Sequence, residues 1–218
     1  SCPVADLPPG RYQLRLCRDD CALYGSSRPM AFNVLAAPAL TRVNPSQLAQ
    51  AGGESVEIDG GPFPSFGVKC LFTGATAVNA TYVSSTRITC ETPPSSIKGP
   101  ALLKVSVDGG VHYGGALRVS YHATPTLFGV EPLGASIVGG RPLKITGRGF
   151  SYLQEQGAPP PFCDFGFDTV PASVEDDATL SCGAPPVTSA DTHLVDVRLG
   201  RKRYLLPSST NLTVKRFE

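Results

Sequence analysis

Four of the seven cysteines in this 218-residue chain fall into two pairs of nearly equal spacing: Cys70 with Cys90, 20 residues apart, and Cys163 with Cys182, 19 apart. Thiols set out this way either oxidise to a bridge or hold a metal. Structural zinc favours Cys-x-x-Cys spacing and nearby histidines, and these pairs have neither. The spacing therefore predicts one bridge within each pair, formed in an oxidising compartment. Closing a loop of this length is worth roughly 3 kcal/mol in the chain-entropy model. Cys17 and Cys21 enclose Arg18-Asp19-Asp20 and are expected to bridge across their own hairpin; the alternative is that one of them pairs with Cys2.

The remaining reactive side chains form no catalytic pattern. His112, His122 and His193 stand outside any Gly-x-Ser-x-Gly or His-Glu-x-x-His context, and a hydrolase needs a histidine placed with a nucleophile and an orienting acid. No glycine loop of phosphate-cradling form links a strand to a helix. Glu175-Asp176-Asp177 lacks the alternating oxygen ligands of a calcium loop and reads as a solvated turn, although a neighbouring domain could complete a weak site. No catalytic residue, metal or cofactor is expected.

Two surface chemistries remain. Asn79-Ala80-Thr81 and Asn211-Leu212-Thr213 are N-glycosylation sequons, while Pro45 excludes Asn44. Asn79, beside an expected turn, is the better acceptor; Asn211 opens a last strand. Arg201-Lys202-Arg203 offers a small basic contact for an acidic glycan or protein partner, or for a processing protease. The plainer reading is a solvated hairpin tip.

Composition narrows the classes further. Charged residues are 17% of the chain and the net charge is +1, so no electrostatic footprint for nucleic acid or an anionic membrane is present. No apolar run approaches the roughly 18 residues of a membrane span. The opening Ser1-Cys2-Pro3 is not a signal peptide, which leads to the expectation of a mature or excised fragment. Gly 23 and Pro 21 are spread as punctuation, as between many short strands.

The elements that must position these residues come twice. Val43-Asn44-Pro45, Gly52-Gly53, Val56-Glu57-Ile58-Asp59-Gly60 and Phe63 return 87 residues later as Val130-Glu131-Pro132, Gly139-Gly140, Leu143-Lys144-Ile145-Thr146-Gly147 and Phe150. Cys70-Leu71-Phe72 and Cys90-Glu91-Thr92-Pro93 then return as Cys163-Asp164-Phe165 and Cys182-Gly183-Ala184-Pro185. A repeat of this length is a domain, not a solenoid unit. Residues 1–36 read as the closing part of a preceding copy, since Ala31–Leu35 matches the last strands at Leu117–Tyr121 and Leu212–Phe217. Cys2 then corresponds to Cys90 and Cys182, its usual partner lying upstream. The expected division is 1–36, 37–122 and 123–218. Asp108-Gly109-Gly110 reads as a hairpin turn. Ala158-Pro159-Pro160-Pro161 lies in an insertion and reads as a loop or edge. Phe72 and Phe165 should share a sheet face with the cysteine two residues before them. The connectors Ala36-Ala37 and His122-Ala123-Thr124 are too short for a free tether, so successive domains should sit end to end with little swivel.

This pattern of Gly-Gly, alternating strand, Gly-x-x-Phe, Cys-x-Phe and Cys-x-x-Pro resembles the IPT/TIG family, immunoglobulin-like β-sandwiches found in plexins, other receptor ectodomains and many surface proteins. The resemblance covers two copies over 38–217 and a partial one over 1–36. It departs at Cys2, which Pro3 follows at once, and at the proline insertion of the last copy. The absence of Trp separates the chain from antibody-type domains. The resemblance implies an all-β fold of tandem sandwiches with almost no helix. It also implies a non-enzymatic extracellular segment of a cell-surface or secreted protein, acting in adhesion or recognition as a rod. The partner would be a protein, or neighbouring domains in self-assembly, with glycan as a further candidate. Membrane attachment would come only through a segment outside this chain. A structural role in an extracellular fibre or in a cell-wall or ciliary-surface assembly, or glycan binding beside a carbohydrate-active enzyme, is the alternative. Transcription factors of the Rel type share the fold, but the neutral charge, paired cysteines and sequons oppose DNA binding.

Overall fold

Alternation of apolar and polar residues makes almost every described element a strand, because a period of two buries one face of a sheet. The computed structural model describes residues 7–14, 28–188 and 192–204, and the backbone of 211–215; Cys2, Cys17 and Cys21 lie outside them. β1 (Gly10–Leu14) and β2 (Met30–Val34) form an antiparallel pair.

The first sandwich contains β3 (Ala39–Asn44), β4 (Gln47–Ala49), β5 (Ser55–Gly61), β6 (Lys69–Phe72), β7 (Val78–Ser84), β8 (Arg87–Glu91), β9 (Gly99–Ser106) and β10 (Gly114–His122). Its strands run in the order β3-β5-β8-β7-β6-β9-β10-β4. β7 passes from one face to the other, pairing with β8 and with β6. β4 closes the end by running parallel to β10, Leu48 beside Tyr121.

The second sandwich contains β11 (Thr126–Glu131), β12 (Gly134–Ser136), β13 (Pro142–Arg148), β14 (Pro161–Asp164), β15 (Thr169–Pro171), β16 (Ser173–Asp176), β17 (Thr179–Gly183), β18 (Thr192–Leu194), β19 (Asp196–Leu199), β20 (Lys202–Tyr204) and β21 (Asn211–Lys215). One face is β11-β13-β17-β16 and the other β15-β14-β19-β20, with β12-β21-β18 at the end. β12 runs parallel to β21, Ala135 beside Val214, as β4 does to β10. Among the described residues the helical element is a single 3-10 turn, Ser151–Gln154. Among the described residues no helix is long and apolar enough to cross a membrane.

Each sandwich has its own core. Val56, Ile58, Phe72, Ile88 and Leu103 lie at the centre of the first, and Leu143, Ile145, Phe150, Leu180 and Val197 at that of the second. The cysteine pairs bridge the two faces of each sandwich: Cys70 of β6 joins Cys90 of β8, and Cys163 of β14 joins Cys182 of β17. Phe72 and Phe165 are buried with the cysteine two residues before them, as a pleated strand requires. Asp108-Gly109-Gly110 lies in the β9–β10 hairpin, both glycines at positive φ.

Candidate functional site

The Gly-Gly turns explain themselves first. Gly52 has φ +63, and a Cβ there would stand 2.5 Å from the backbone carbon of Pro93; at Gly139, φ +76, it would stand 2.8 Å from that of Pro185. Only glycine lets the Cys-x-x-Pro segment lie directly on the turn. The clasp is then sewn by matching bonds. Gly53 N donates to Thr92 O at 2.7 Å and Thr92 N to Glu54 O at 2.8 Å; Gly140 N donates to Ala184 O at 2.8 Å and Ala184 N to Arg141 O at 2.9 Å.

What lies on the two turns differs. The first turn is covered by the second sandwich. Lys202, at the start of β20, donates its Nζ to Gly52 O. Glu54 is 3% exposed; its Oε2 accepts from Ala49 N at 3.0 Å and its Oε1 from the Tyr204 hydroxyl at 3.5 Å, the outer limit of a hydrogen bond. Burial, the strongest influence, pushes the Glu54 carboxyl above its ordinary value; the Ala49 amide, the Lys202 charge and Tyr204 offset this in part. Burial likewise raises the phenols that surround this charge: Tyr121 to about 12, and Tyr152 and Tyr204 upward with Glu54 adding to it.

A second seam runs beside the first. Cys163 follows Phe150 by 13 positions where Cys70 follows Phe63 by 7, an insertion of 6. That insertion reaches back to the first sandwich. Gly157 O accepts from Ser46 N at 2.7 Å and from Gln47 N at 3.1 Å. Tyr152, on the 3-10 turn, stacks on the His122 ring at 4.7 Å with 10° between planes. His122 Nε2 also lies 2.6 Å from Gln47 Oε1 and 3.9 Å from Glu155 Oε2. Burial lowers the His122 imidazole, Glu155 works against that, and Lys98 adds to it. Beside it a cleft is lined by Lys98, His122, Gly149, Ser151, Tyr152 and Asp177. The connector is held too, since Ala51 N donates to the Thr124 hydroxyl at 2.9 Å. This joint is the one place among the described residues where buried charge, aromatic stacking and backbone pairing converge between sandwiches.

The residues expected to carry chemistry are placed as follows. The basic triplet divides. Arg201 is exposed in a cleft with Pro159 and Pro160. Lys202 enters the joint. Arg203 turns onto its own sheet, 2.6 Å from Asp196 Oδ2 and 3.8 Å from Asp164 Oδ2, both buried acids. Arg201 and Arg203 are both exposed, Arg203 while paired with acids of its own sheet, and Lys202 is half-buried. Asn79 is exposed on β7; Asn211 opens β21, its side chain outside the described residues. Asp177 accepts from Ser151 N at 3.0 Å and Gly149 N at 3.3 Å, so it organises the insertion. Glu175 pairs with Lys144 at 3.8 Å. Among the described residues no group of three or more His, Cys, Asp or Glu could hold a metal. The three histidines sit apart: His112 bonds Asp108 at 2.7 Å, His122 is in the joint and His193 packs edge-on to Phe167. Glu54, Tyr152, Gly157 and Tyr204 were not singled out by sequence. The insertion was visible, but nothing in it names what it touches.

Both copies are all-β, immunoglobulin-like sandwiches, each with a Gly-Gly turn clasped by its own Cys-x-x-Pro segment. Residues 38–121 match the model of the IPT/TIG domain, and this stretch belongs to that family. The chain is similar to human Plexin-A2, 28% identical over 178 residues, which is 81% of this chain and 9% of that protein. A structure of the Plexin A4 full extracellular region superposes with a TM-score of 0.62, over 96% of this chain and 19% of that one. Its 19% sequence identity speaks to the fold alone.

Proposed function

We propose that the chain is a non-enzymatic extracellular segment of a larger cell-surface or secreted protein. It works in recognition or adhesion as a stretch of stiffly jointed immunoglobulin-like modules, divided near residues 37 and 123. The observation that carries this reading is the joint: each sandwich owns a core and a bridge, and Glu54 of the first is buried beside Tyr204 of the second, whose Lys202 bonds Gly52 O and acts on Glu54 through its charge. A buried carboxylate is costly unless paired, so separation would leave the Lys202 and Tyr204 contacts unmade. Such a joint serves spacing and presentation, with binding left to faces and end loops. The likeness to plexin ectodomains supports a protein partner, and exposed Asn79 supports glycosylation there.

The test is to secrete the chain from a eukaryotic host, cluster it, and probe cell surfaces, glycan arrays and duplex DNA. Saturable binding to a protease-sensitive surface component is expected. Binding confined to glycans would favour an accessory role beside a carbohydrate-active enzyme. A salt-dependent DNA shift, or free thiols at Cys70, Cys90, Cys163 and Cys182 in native protein, would sink the extracellular reading.

A further inference from the structure

The covered turn of the first sandwich has a twin that no other sandwich covers among the described residues. At an offset of 87 residues, Ser46, Ala51, Gly53 and Glu54 correspond to Leu133, Val138, Gly140 and Arg141. A Cβ added at Gly53 would meet Lys202 Nζ at 3.3 Å, whereas at Gly140 nothing lies within 4 Å. Leu133 is 54% exposed and Val138 78% exposed. Arg141 is exposed where Glu54 is buried. The backbone seat is nevertheless the same, with the same two clasp bonds on each turn. The turn is thus built alike twice, with opposite charge, and carries apolar side chains at its open rim.

We infer that the Leu133–Arg141 end of the second sandwich is the seat of a following β-sandwich module of the same polypeptide, and that this module meets Arg141 with a carboxylate on the hairpin that corresponds to β19–β20. The inference rests on the reading of the chain as jointed modules. It is argued from charge and from the internal precedent. A guanidinium brought under cover needs a partner able to take its fork, and a carboxylate does so in two parallel bonds. A second lysine there would leave two like charges desolvated together. Leu133 and Val138 supply the apolar rim that closes such a contact. The Leu133 and Gly134 amides stand where Ser46 and Gln47 donate to Gly157 O. A joint of this kind would therefore be keyed by charge: acid on the turn takes a lysine hairpin, and arginine on the turn takes an acidic one. The keying gives each module one preferred neighbour, so the order of modules is written into their ends.

The experiment builds the missing joint from the chain's own parts. Val214 holds on β12 the place that Tyr121 holds on β4, so residues 1–214 are continued directly with a second copy of residues 122–218. The appended copy carries either Lys202 or K202E. Hydrogen exchange is read by mass spectrometry on peptides covering 46–54 and 133–141. With K202E in the appended copy, exchange over 133–141 is expected to slow at least tenfold relative to the original chain; with Lys202 it should not slow. Adding R141A to the K202E form, which leaves the turn backbone intact, should restore fast exchange. Equal slowing with both copies, or none with the acidic one, overturns the charge-keyed seat. In the original chain 46–54 must exchange more slowly than 133–141. If the two are equal, it is the covered joint itself, and the reading beneath, that fails.

Discussion

Glu54 and Arg141 stand one residue after the same turn in two copies of one fold, and they live in different surroundings. Around Glu54 the turn, the Cys-x-x-Pro clasp and the parallel closing strand are overlaid by another sandwich. Around Arg141 no other sandwich overlies the turn among the described residues, and Gly140 and Arg141 are exposed. The fold therefore sets the seat, and the side chain after the glycines, with what lies on it, sets the company. Residues whose backbone conformation makes the turn, such as Gly52 and Gly139, are matched between copies. Residues that serve the joint, such as Glu54, Lys202 and Tyr152, are not.

The sharpest way to break the comparison is to empty the second seam. Tyr152 is buried at 3% exposure and its ring lies on His122. Tyr152→Ala removes that ring from the core of the second sandwich and from the joint together. A loss of about 3–4 kcal/mol is expected for a buried aromatic truncated to alanine, read as a fall in the unfolding midpoint of the second sandwich in denaturant. The trimmed counterpart Tyr152→Phe should keep most of this stability, because the Tyr152 hydroxyl has no hydrogen-bond partner among the described residues. An equal loss in both variants would mean that the hydroxyl, not the ring, holds the seam.

The two turns offer a paired test. Gly52→Ala and Gly139→Ala each force a Cβ into backbone at a positive φ, 2.5 Å from Pro93 and 2.8 Å from Pro185 respectively. Each should cost roughly 2 kcal/mol or more, since the native conformation is incompatible with the new residue. The difference lies in what else moves. Gly52→Ala should also speed proteolysis in the connector at residues 122–124, because Lys202 is bonded to Gly52 O. Gly139→Ala should leave the connector as resistant as in the parent. Equal sensitivity of the connector in both would erase the distinction between covered and open turns.

Much of this architecture was legible in sequence for a physical reason. Strand alternation, the Gly-Gly turns, the cysteine pairs and the phenylalanine two places after each first cysteine are local patterns with local causes. The joint was not, because its partners lie about 150 residues apart. Glu54 reads as an ordinary loop acid beside a turn, and Lys202 as one of three solvated cations. His122 reads as a linker residue, whereas it ends β10 under the Tyr152 ring. The proline insertion looked like a loop to be tolerated; it supplies Tyr152, Glu155 and Gly157 to the contact. Packing between modules is decided by pairs, and one member of a pair carries no mark of the other.

The finer predictions concern charge across the joint. Lys202→Met keeps the length of the stem and removes the cation, leaving Glu54 under cover without its charge partner. A cost of about 1–3 kcal/mol is expected, because the loss exposes the desolvation of the remaining acid. It should appear as faster connector proteolysis at neutral pH. Adding Glu54→Gln to Lys202→Met should recover part of it, since no uncompensated charge then remains. Failure of the second substitution to rescue the first would show that the two side chains are not energetically coupled.

The smallest effect is the most diagnostic of burial. The Glu54 carboxyl is held above its ordinary value in the folded chain, so the folded state binds that proton more tightly than the unfolded one. Linkage then makes stability rise as pH falls through the folded-state value and level off below the unfolded value of 4.5. His122 works the opposite way. Burial lowers its imidazole, so stability is lost as pH falls below the ordinary histidine range and the unfolded chain takes up the proton. Tyr121, Tyr152 and Tyr204 are all raised and stay neutral through this interval. The wild-type curve thus mixes two opposed slopes. The difference between wild type and Glu54→Gln, measured as unfolding midpoint from pH 7.5 to pH 4, removes the histidine. That difference should favour the wild type increasingly toward acid. Arg141→Gln, the same substitution on the open turn, should give a flat difference over the whole range, because it changes no buried carboxyl. A flat curve for Glu54→Gln as well would mean that the carboxyl is as well solvated as the arginine of the other copy, and the contrast between covered and open turns would collapse.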